Sequence, residues 1–488
     1  MSLLRPDHFR RAGNAPLAMQ ASRGQAAFLL GLALVIALVK ATVPLDEQLA
    51  PLLVIVAALG PFLLWTAQPR KYGMPILPFW CGTYVVTYGY SLIDPTGAAA
   101  SYTPDQRWLA AWTIIAFCLL ATATWWFVMQ WRFREQPAAS LQGPRLDALF
   151  LGVLVAYPLY FNFLPGIVLN ALGPAQPVVR SLLLSTHTLA VFYLGCRAGR
   201  RAIRGSWLAI ALVFLTLTSL LSITSLLLVS GIFMWFFWGV GFYVGRGKVP
   251  WMPVLIVFTA FTVLNLGKAQ MRSQCSESAD CAAAGYQRFL GDWLQHSQDR
   301  LLGRDAIEST RNPLLSLFDR MQLSHILMLV QSRSPDPVPY LAGGSYQVIP
   351  ALMVPRFLSP DRADTHEGTK RLNIQYGLQT REMTQSTTVG WGLLNEAYAN
   401  YGLAGLIGLA VLLAVGFGVA AGLARGQDLL SFRSLFCFLL LANAANTEAT
   451  MGIFVTAVLQ ATVALILLRI IALGDAAKPL RARAPVRG

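Results

Sequence analysis

Apolar residues run in blocks of membrane-span length along most of this chain. A helix rises about 1.5 Å per residue, so crossing a hydrocarbon layer about 30 Å thick takes roughly 20 mostly apolar residues. Blocks of that kind fall at 26–44, 48–67, 74–93, 108–130, 146–164, 178–196, 206–222, 226–245, 250–267, 402–424, 429–446 and 451–472. The pattern predicts an all-α polytopic membrane protein with about twelve transmembrane helices. The hydropathy breaks at length only once, over 268–388. The chain therefore divides into 1–267 with nine spans, a large loop at 268–388, and 389–488 with three spans.

The loop has its own pattern. From Asn312 to Val330, apolar residues recur at helical spacing, with Pro313 near the start. That predicts an amphipathic helix over 312–332, packed on the membrane domain or lying in the interface. Ser334-Pro335-Asp336-Pro337 and Gly343-Gly344 are turn formers. A second apolar piece, Val348 to Leu358, contains Pro350 and Pro355 and reads as broken or re-entrant. A long loop with this much internal order is usually functional. Beyond it, Glu396 and Asn400 share a helix face. Gly402, Gly405 and Gly408 follow at three-residue spacing, which would let another helix or an isoprenoid tail approach closely.

Composition fits this picture. Of 488 residues, 55% are hydrophobic and 12% charged, against about 25% charged in soluble domains. The net charge of +15 would suggest a nucleic-acid partner on a soluble protein. Here the basic residues mark topology instead. They gather in the N-terminal tail (Arg5, Arg10, Arg11, Arg23), in alternate connections (Arg70 and Lys71; Arg132, Arg134 and Arg145; Arg197, Arg200, Arg201 and Arg204; Arg246 and Lys248; Arg425 and Arg433) and in the C-terminal tail. Short loops rich in Lys and Arg stay cytoplasmic. Both termini are therefore expected in the cytoplasm and the 268–388 loop outside, without a cleavable signal peptide. The loop is nearly neutral, with 13 Lys or Arg against 12 Asp or Glu.

Candidate chemistry sits in and beside the loop. An ionisable group near the membrane plane is costly to keep and is a functional candidate for that reason. Glu396 is such a group; the plainer reading makes it a helix-entry carboxylate paired with a loop arginine. Lys268 and Arg272, then Arg320, Arg356, Arg362, Lys370, Arg371 and Arg381, supply cations. An arginine fork fits phosphate oxygens bidentately. His366 is a candidate general base, with His296 and His325 elsewhere in the loop. Cys275 and Cys281, five residues apart, could form a disulfide in an oxidising compartment or stay as two thiols. No Cys or His pair at zinc-ligand spacing accompanies them.

Several of these segments form a family pattern. Lys268-Ala269-Gln270-Met271-Arg272, Arg320, Gly343-Gly344-Ser345-Tyr346, Val354-Pro355-Arg356, Ser359-Pro360-Asp361-Arg362 and Gly392-Leu393-Leu394-Asn395-Glu396-Ala397-Tyr398-Ala399-Asn400-Tyr401-Gly402 resemble the Wzy-type polymerases of O-antigen and exopolysaccharide repeat units. The resemblance covers roughly 265–410. It departs at Arg362-Ala363, where Lys-Pro would be expected, and at Asn395, where Gly is common. It implies a glycosyltransferase of the bacterial inner membrane without metal or other cofactor, with a GT-C-like architecture conceivable. Its substrates would be oligosaccharides on undecaprenyl pyrophosphate, with a flippase and a chain-length regulator as further partners. On this reading Glu396 and His366 serve the chemistry. Lys268, Arg272, Arg320, Arg356, Arg362, Tyr398 and Asn400 hold substrate. The alternatives are an O-antigen ligase, a metal-dependent GT-C transferase using the Asp46-Glu47 pair, and a lipid-oligosaccharide flippase. The spans are nearly free of charge, which disfavours the flippase.

Overall fold

The structure is a computed structural model. It describes residues 45–68, 72–93, 97–133, 140–163, 173, 176–223, 228–277, 286–302, 304, 321–354, 358–359 and 361–473. The expected first span at 26–44 lies outside them, as do Arg320, Arg356 and Cys281. The helices are, in chain order, α1 (Leu45–Ala67), α2 (Ile76–Tyr84), α3 (Pro104–Val128), α4 (Pro144–Pro158), α5 (Gln176–Gly199), α6 (Ser206–Ile223), α7 (Leu228–Arg246) and α8 (Trp251–Glu277). Next come α9 (Tyr286–Leu301), α10 (Ser324–Arg333), α11 (Ile349–Met353), α12 (Glu367–Gln375) and α13 (Met383–Ser386). The chain closes with α14 (Leu393–Tyr401), α15 (Leu403–Leu423), α16 (Phe432–Ala444) and α17 (Met451–Leu473). No β-strand occurs among the described residues.

Among the described residues, seven helical segments are long and apolar enough to cross a membrane: Leu49–Ala67, Pro104–Val128, Pro144–Asn162, Val179–Gly199, Trp251–Lys268, Leu403–Leu423 and Met451–Ile471. The chain is a polytopic helical membrane protein. Ser206–Ser222 and Phe432–Ala444 are shorter apolar helices at two further expected positions. At 74–93 the helix is unbroken but not α throughout: α2 runs on into a π-turn, Val85–Tyr90, and a last α-turn at Ser91–Ile93.

The spans pack around two apolar cores. One joins α1, α2 and α3 to α15, with α10 and α14 inserted; the other joins α4, α5, α6 and α7 to α17. In the second core, glycines set the closest approach. A Cβ on Gly195 or Gly199 of α5 would lie 2.5 or 2.4 Å from a carbonyl oxygen of α7, and one on Gly241 or Gly245 of α7 would lie 2.3 Å from one of α5. Each helix thus offers a Gly-xxx-Gly seam to the other, and backbone meets backbone without side chains between. The same core buries an ion pair that the charge-free reading of the spans overlooked. Asp147 Oδ1 accepts from Arg197 Nε and from the Tyr193 hydroxyl, both at 2.8 Å, and Oδ2 from Arg197 Nη2 at 2.6 Å. The fork and the phenol satisfy the carboxylate where water cannot.

Connections rich in arginine meet at one end of the bundle. Ser140 pairs with Ser431, Arg425 donates to the Met129 carbonyl, and Arg200 pairs with Asp428 at 3.5 Å. The segment 321–401 docks on the other end. The described part of the expected amphipathic helix is α10, ten residues long from Ser324, while 312–320 lie outside the described residues. It is no interfacial helix, because Ile326, Leu327, Met328 and Val330 belong to the first core. The π-turn explains the docking. Within it the Thr87 carbonyl accepts from Leu323 N at 2.8 Å, and the Tyr88 hydroxyl donates to Asn395 Oδ1 at 3.1 Å. Asn395 Nδ2 donates in turn to the Leu323 and Trp391 carbonyls. The expected re-entrant piece is a single turn, α11, packed against the start of α17 through Leu352 and Val348 at Gly452.

One helix of the loop carries no expectation from sequence. α9 lies along α8, with Trp293 Nε1 donating to the Leu264 carbonyl at 2.6 Å and Ser297 Oγ accepting from Gly267 N at 3.2 Å. Cys275, near the end of α8, is disulfide-bonded to a residue outside those described.

Asn395 is fully buried and answers three groups at once. Asn395→Ala should cost about 2–4 kcal/mol, because the partners stay buried and unpaired. Limited proteolysis should then cut within 334–392 at least tenfold faster than in the parent, with the spans still inserted.

Candidate functional site

The site is built from the short helix α14. Gly392, at φ +75°, opens it, and Gly402, at φ +59°, closes it. Between them Leu393 to Asn400 are all buried. Gly402 and Gly405 serve this turn itself. A Cβ on Gly402 would lie 2.9 Å from the Tyr340 ring, and one on Gly405 would lie 2.0 Å from the Ala397 oxygen, whereas Gly408 faces open space. Gly405 therefore lets α14 close on α15, while Gly402 admits the Tyr340 ring.

Glu396 has 0% of its surface exposed. The Ser345 hydroxyl donates to its Oε1 at 2.7 Å, and Met451 N, the first residue of α17, donates to its Oε2 at 2.5 Å. Asn400 Nδ2 donates both to Ser345 Oγ and to the Glu396 carbonyl at 2.8 Å. The expected arginine partner is replaced by hydrogen bonds, since among the described residues no cation pairs with this carboxylate. A helix N-terminus offers unsatisfied N–H groups and the positive end of its dipole, so the carboxylate caps α17 from another segment. Burial pushes the Glu396 carboxyl up to about 7, although the Met451 and Ser345 hydrogen bonds pull it down. Burial, then the Glu396 charge, push the neighbouring Tyr346 phenol above its usual range.

Above this acid lies the turn Gly343–Tyr346, and α12 grips the turn. A Cβ on Gly368 would lie 2.8 Å from the Ser345 oxygen. Arg371 Nη1 donates to the Gly344 carbonyl at 3.0 Å and Nε to Glu367 at 3.4 Å. Lys370 pairs with Asp364 at 3.1 Å. His366 is exposed at the head of the same helix. Thr369 and Thr450 hydroxyls lie 2.9 Å apart, and Trp391 Nε1 donates to Asn373 Oδ1 at 2.8 Å. Tyr401, 47% exposed, stands 6.4 Å from the Tyr346 ring.

The other expected site residues scatter. Tyr398 is buried 6.4 Å from the Tyr340 ring, and Asn400 is inside the Glu396 network. Lys268 is buried in α8, which packs chiefly on α7 and α9. Arg272 is one turn further along α8, its side chain outside those described. Arg362 is a backbone clamp. Its Nη1 donates to the Leu352 and Val354 carbonyls at 2.5 and 2.6 Å, fixing the exit from α11. Asp46 and Glu47 begin α1, with side chains outside those described. Ser345 and Tyr346, the groups that meet Glu396 and Asn400, were part of the family pattern but received no role there. A lone serine after two glycines reads as a turn.

The fold and site define a polytopic membrane protein with a structured loop docked on one end of its helices. No protein-family model matches the chain, and no curated protein or solved structure gives a significant match.

The raised Glu396 carboxyl has a thermodynamic consequence. Its folded value, about 7, exceeds the ordinary 4.5, so between those pH values the folded state holds the proton and the unfolded state does not. Stability from this group is complete below pH 4.5 and is lost as pH rises toward 7, by about 3 kcal/mol in total. Glu396→Gln should flatten the fall in Tm between pH 5 and 7.5. A parallel fall in parent and variant would assign the pH dependence to another group.

Proposed function

We propose that this chain is a membrane glycosyltransferase that joins lipid-diphosphate-linked oligosaccharide repeat units on the outer face of a bacterial inner membrane. One observation supports this reading most. α12 presents His366, Lys370 and Arg371 over a glycine turn that a buried acid holds from beneath. The ion pairs of Lys370 and Arg371 are with partly exposed acids, and Arg371 also donates to the Gly344 carbonyl. Such surface pairs are worth at most about 1 kcal/mol, so a diphosphate can displace the carboxylates at little cost.

In this reading a base takes the proton from an acceptor sugar hydroxyl, and that oxygen attacks the anomeric carbon of the donor. The bond from that carbon to the lipid diphosphate breaks, and the bonding electrons leave with the diphosphate. His366 is accessible to receive the proton. Lys370 and Arg371 meet charge developing on the leaving diphosphate, where fixed cations contribute most. Glu396, enclosed on every side, positions Ser345 and Tyr346 rather than touching sugar. Holding two lipid-linked chains at one loop makes the attack a local event.

Purified protein given lipid-linked repeat units should extend them. Arg371→Ala and Lys370→Ala should each lower extension at least tenfold while the protein stays in the membrane. Arg371→Lys should rescue only partly, because the fork is lost. The Asp46→Ala/Glu47→Ala double variant should remain active. Full activity in both cation variants would remove α12 from the reaction, and a dead double variant would move the chemistry to the first loop. A periplasm-active reporter should give signal after residue 330 and none after residue 200. The reverse pattern would place the loop on the wrong side for exported substrate.

A further inference from the structure

Two stretches of chain cross beside Glu396 and clasp each other. Leu341 N donates to the Ala399 carbonyl at 3.1 Å, and Ala342 N donates to the Asn400 carbonyl at 3.0 Å. Each stretch then seats a tyrosine on a glycine of the other. The Tyr340 ring lies against Gly402, and the Tyr401 hydroxyl lies on Gly343, where a Cβ would collide with it. Gly402 and Gly343 also have positive φ, +59° and +87°. A side chain at either position would therefore be strained as well as crowded.

The clasp fixes Tyr401 without covering it. Its hydroxyl is seated on the turn, yet 47% of the residue's surface stays open. The span Leu403–Leu423 begins two residues further on. A tyrosine that only anchors a span turns its hydroxyl toward headgroups and water. This one turns it toward the loop, so the ring is held still at an open surface. Half-buried Tyr346, on the same turn, brings a second ring to 6.4 Å from the first, tilted by 37°.

The turn also carries a cation. Arg371 Nη1 donates to the carbonyl of Gly344, the residue next to the glycine under Tyr401. Consecutive Cα atoms are about 3.8 Å apart, so guanidinium and phenol meet the turn at adjacent residues. In a glycan carried on a lipid diphosphate, the first sugar is bonded directly to the diphosphate. A ligand whose anion meets Arg371 therefore carries that sugar within reach of Tyr401. The C–H face of a pyranose is apolar and slightly positive, which complements the negative face of an aromatic ring.

We propose that Tyr401, with Tyr346 beside it, is the subsite for the sugar attached to the diphosphate. The subsite deepens the glycosyltransferase reading and depends on it for its ligand. A pyranose face is common to hexoses, so the probe sugar need not be the native one.

Native mass spectrometry of the detergent-purified full chain tests the subsite. Retention of undecaprenyl diphosphate carrying one N-acetylglucosamine is compared with that of undecaprenyl diphosphate alone. The parent should retain the sugar-bearing lipid about fivefold better, the size of one good aromatic contact. Tyr401→Phe keeps the ring and should keep the preference. Tyr401→Leu keeps an apolar side chain at the bilayer surface and should lose the preference, while retaining the bare lipid as the parent does. Loss of the preference in Tyr401→Phe would assign it to the hydroxyl and overturn the stacking ring. A preference kept in Tyr401→Leu would overturn it too, leaving Tyr401 as a membrane anchor. Equal retention of both lipids by the parent would remove the sugar subsite and leave the lipid-diphosphate reading standing. Retention of neither lipid would overturn that reading and the subsite together.

Discussion

The carboxylate of Glu396 ties together three parts of the chain that have no covalent reason to meet. Its two oxygens reach 51 residues back to Ser345 and 55 residues forward to Met451, while its own helix closes the triangle through Asn400. A buried carboxylate without partners would cost several kcal/mol. With two donors on its oxygens and the head of α17 beside it, it is stable enough to stay and still binds a proton near neutrality. The segment 321–401 is thus bolted to the last span through a buried carboxylate.

The same constraint shapes the rest of the loop's attachment. A docked helix brings backbone and side-chain polar groups out of water, and each must find an acceptor or donor. The π-turn in α2 supplies one carbonyl by stepping out of the α-helical ladder, and Asn395 supplies two donors and an acceptor beside it. α10 can then sit among the spans as part of their core instead of on their surface. The α4–α7 half of the bundle solves its packing differently. There glycines bring α5 and α7 into backbone contact, and the buried Asp147 is closed off by Arg197 and Tyr193.

Sequence reasoning reached what depends on local periodicity. Seven of the apolar blocks coincide with span-length helices because the bilayer demands length and apolarity within one continuous segment. Glu396 and Asn400 were legible as a pair because a helix puts residues four apart on one face. What stayed hidden depends on residues far apart. The Gly195–Gly199 and Gly241–Gly245 seams are ordinary span glycines until the two helices are set side by side. Asp147 looks like a helix-entry acid until Arg197, fifty residues on, turns toward it. Of the 312–332 helix, the described residues show α10 from Ser324, just after the docking bond at Leu323 N. α9 was missed although its large residues, Phe289 and Trp293, are four apart and face α8. Its polar remainder masked that pattern within a loop read mainly for charge.

Residue type alone did not separate the loop's cations, and the structure shows why. Arg362 has the fork that suits phosphate, yet it is committed to two carbonyls whose turn would loosen without it. Lys370 is held by a partly exposed carboxylate in an arrangement that water and salt already weaken, while Arg371 shares its fork between such a carboxylate and the Gly344 carbonyl. A phosphate can outbid a weakly held surface acid, but it cannot outbid a main chain that needs its donors to stay folded. By that measure Lys370 is freer to meet an anion than Arg371, and Arg371 freer than Arg362. Lys370 and Arg371 stand on α12 next to an exposed histidine and above a turn fixed by a buried acid.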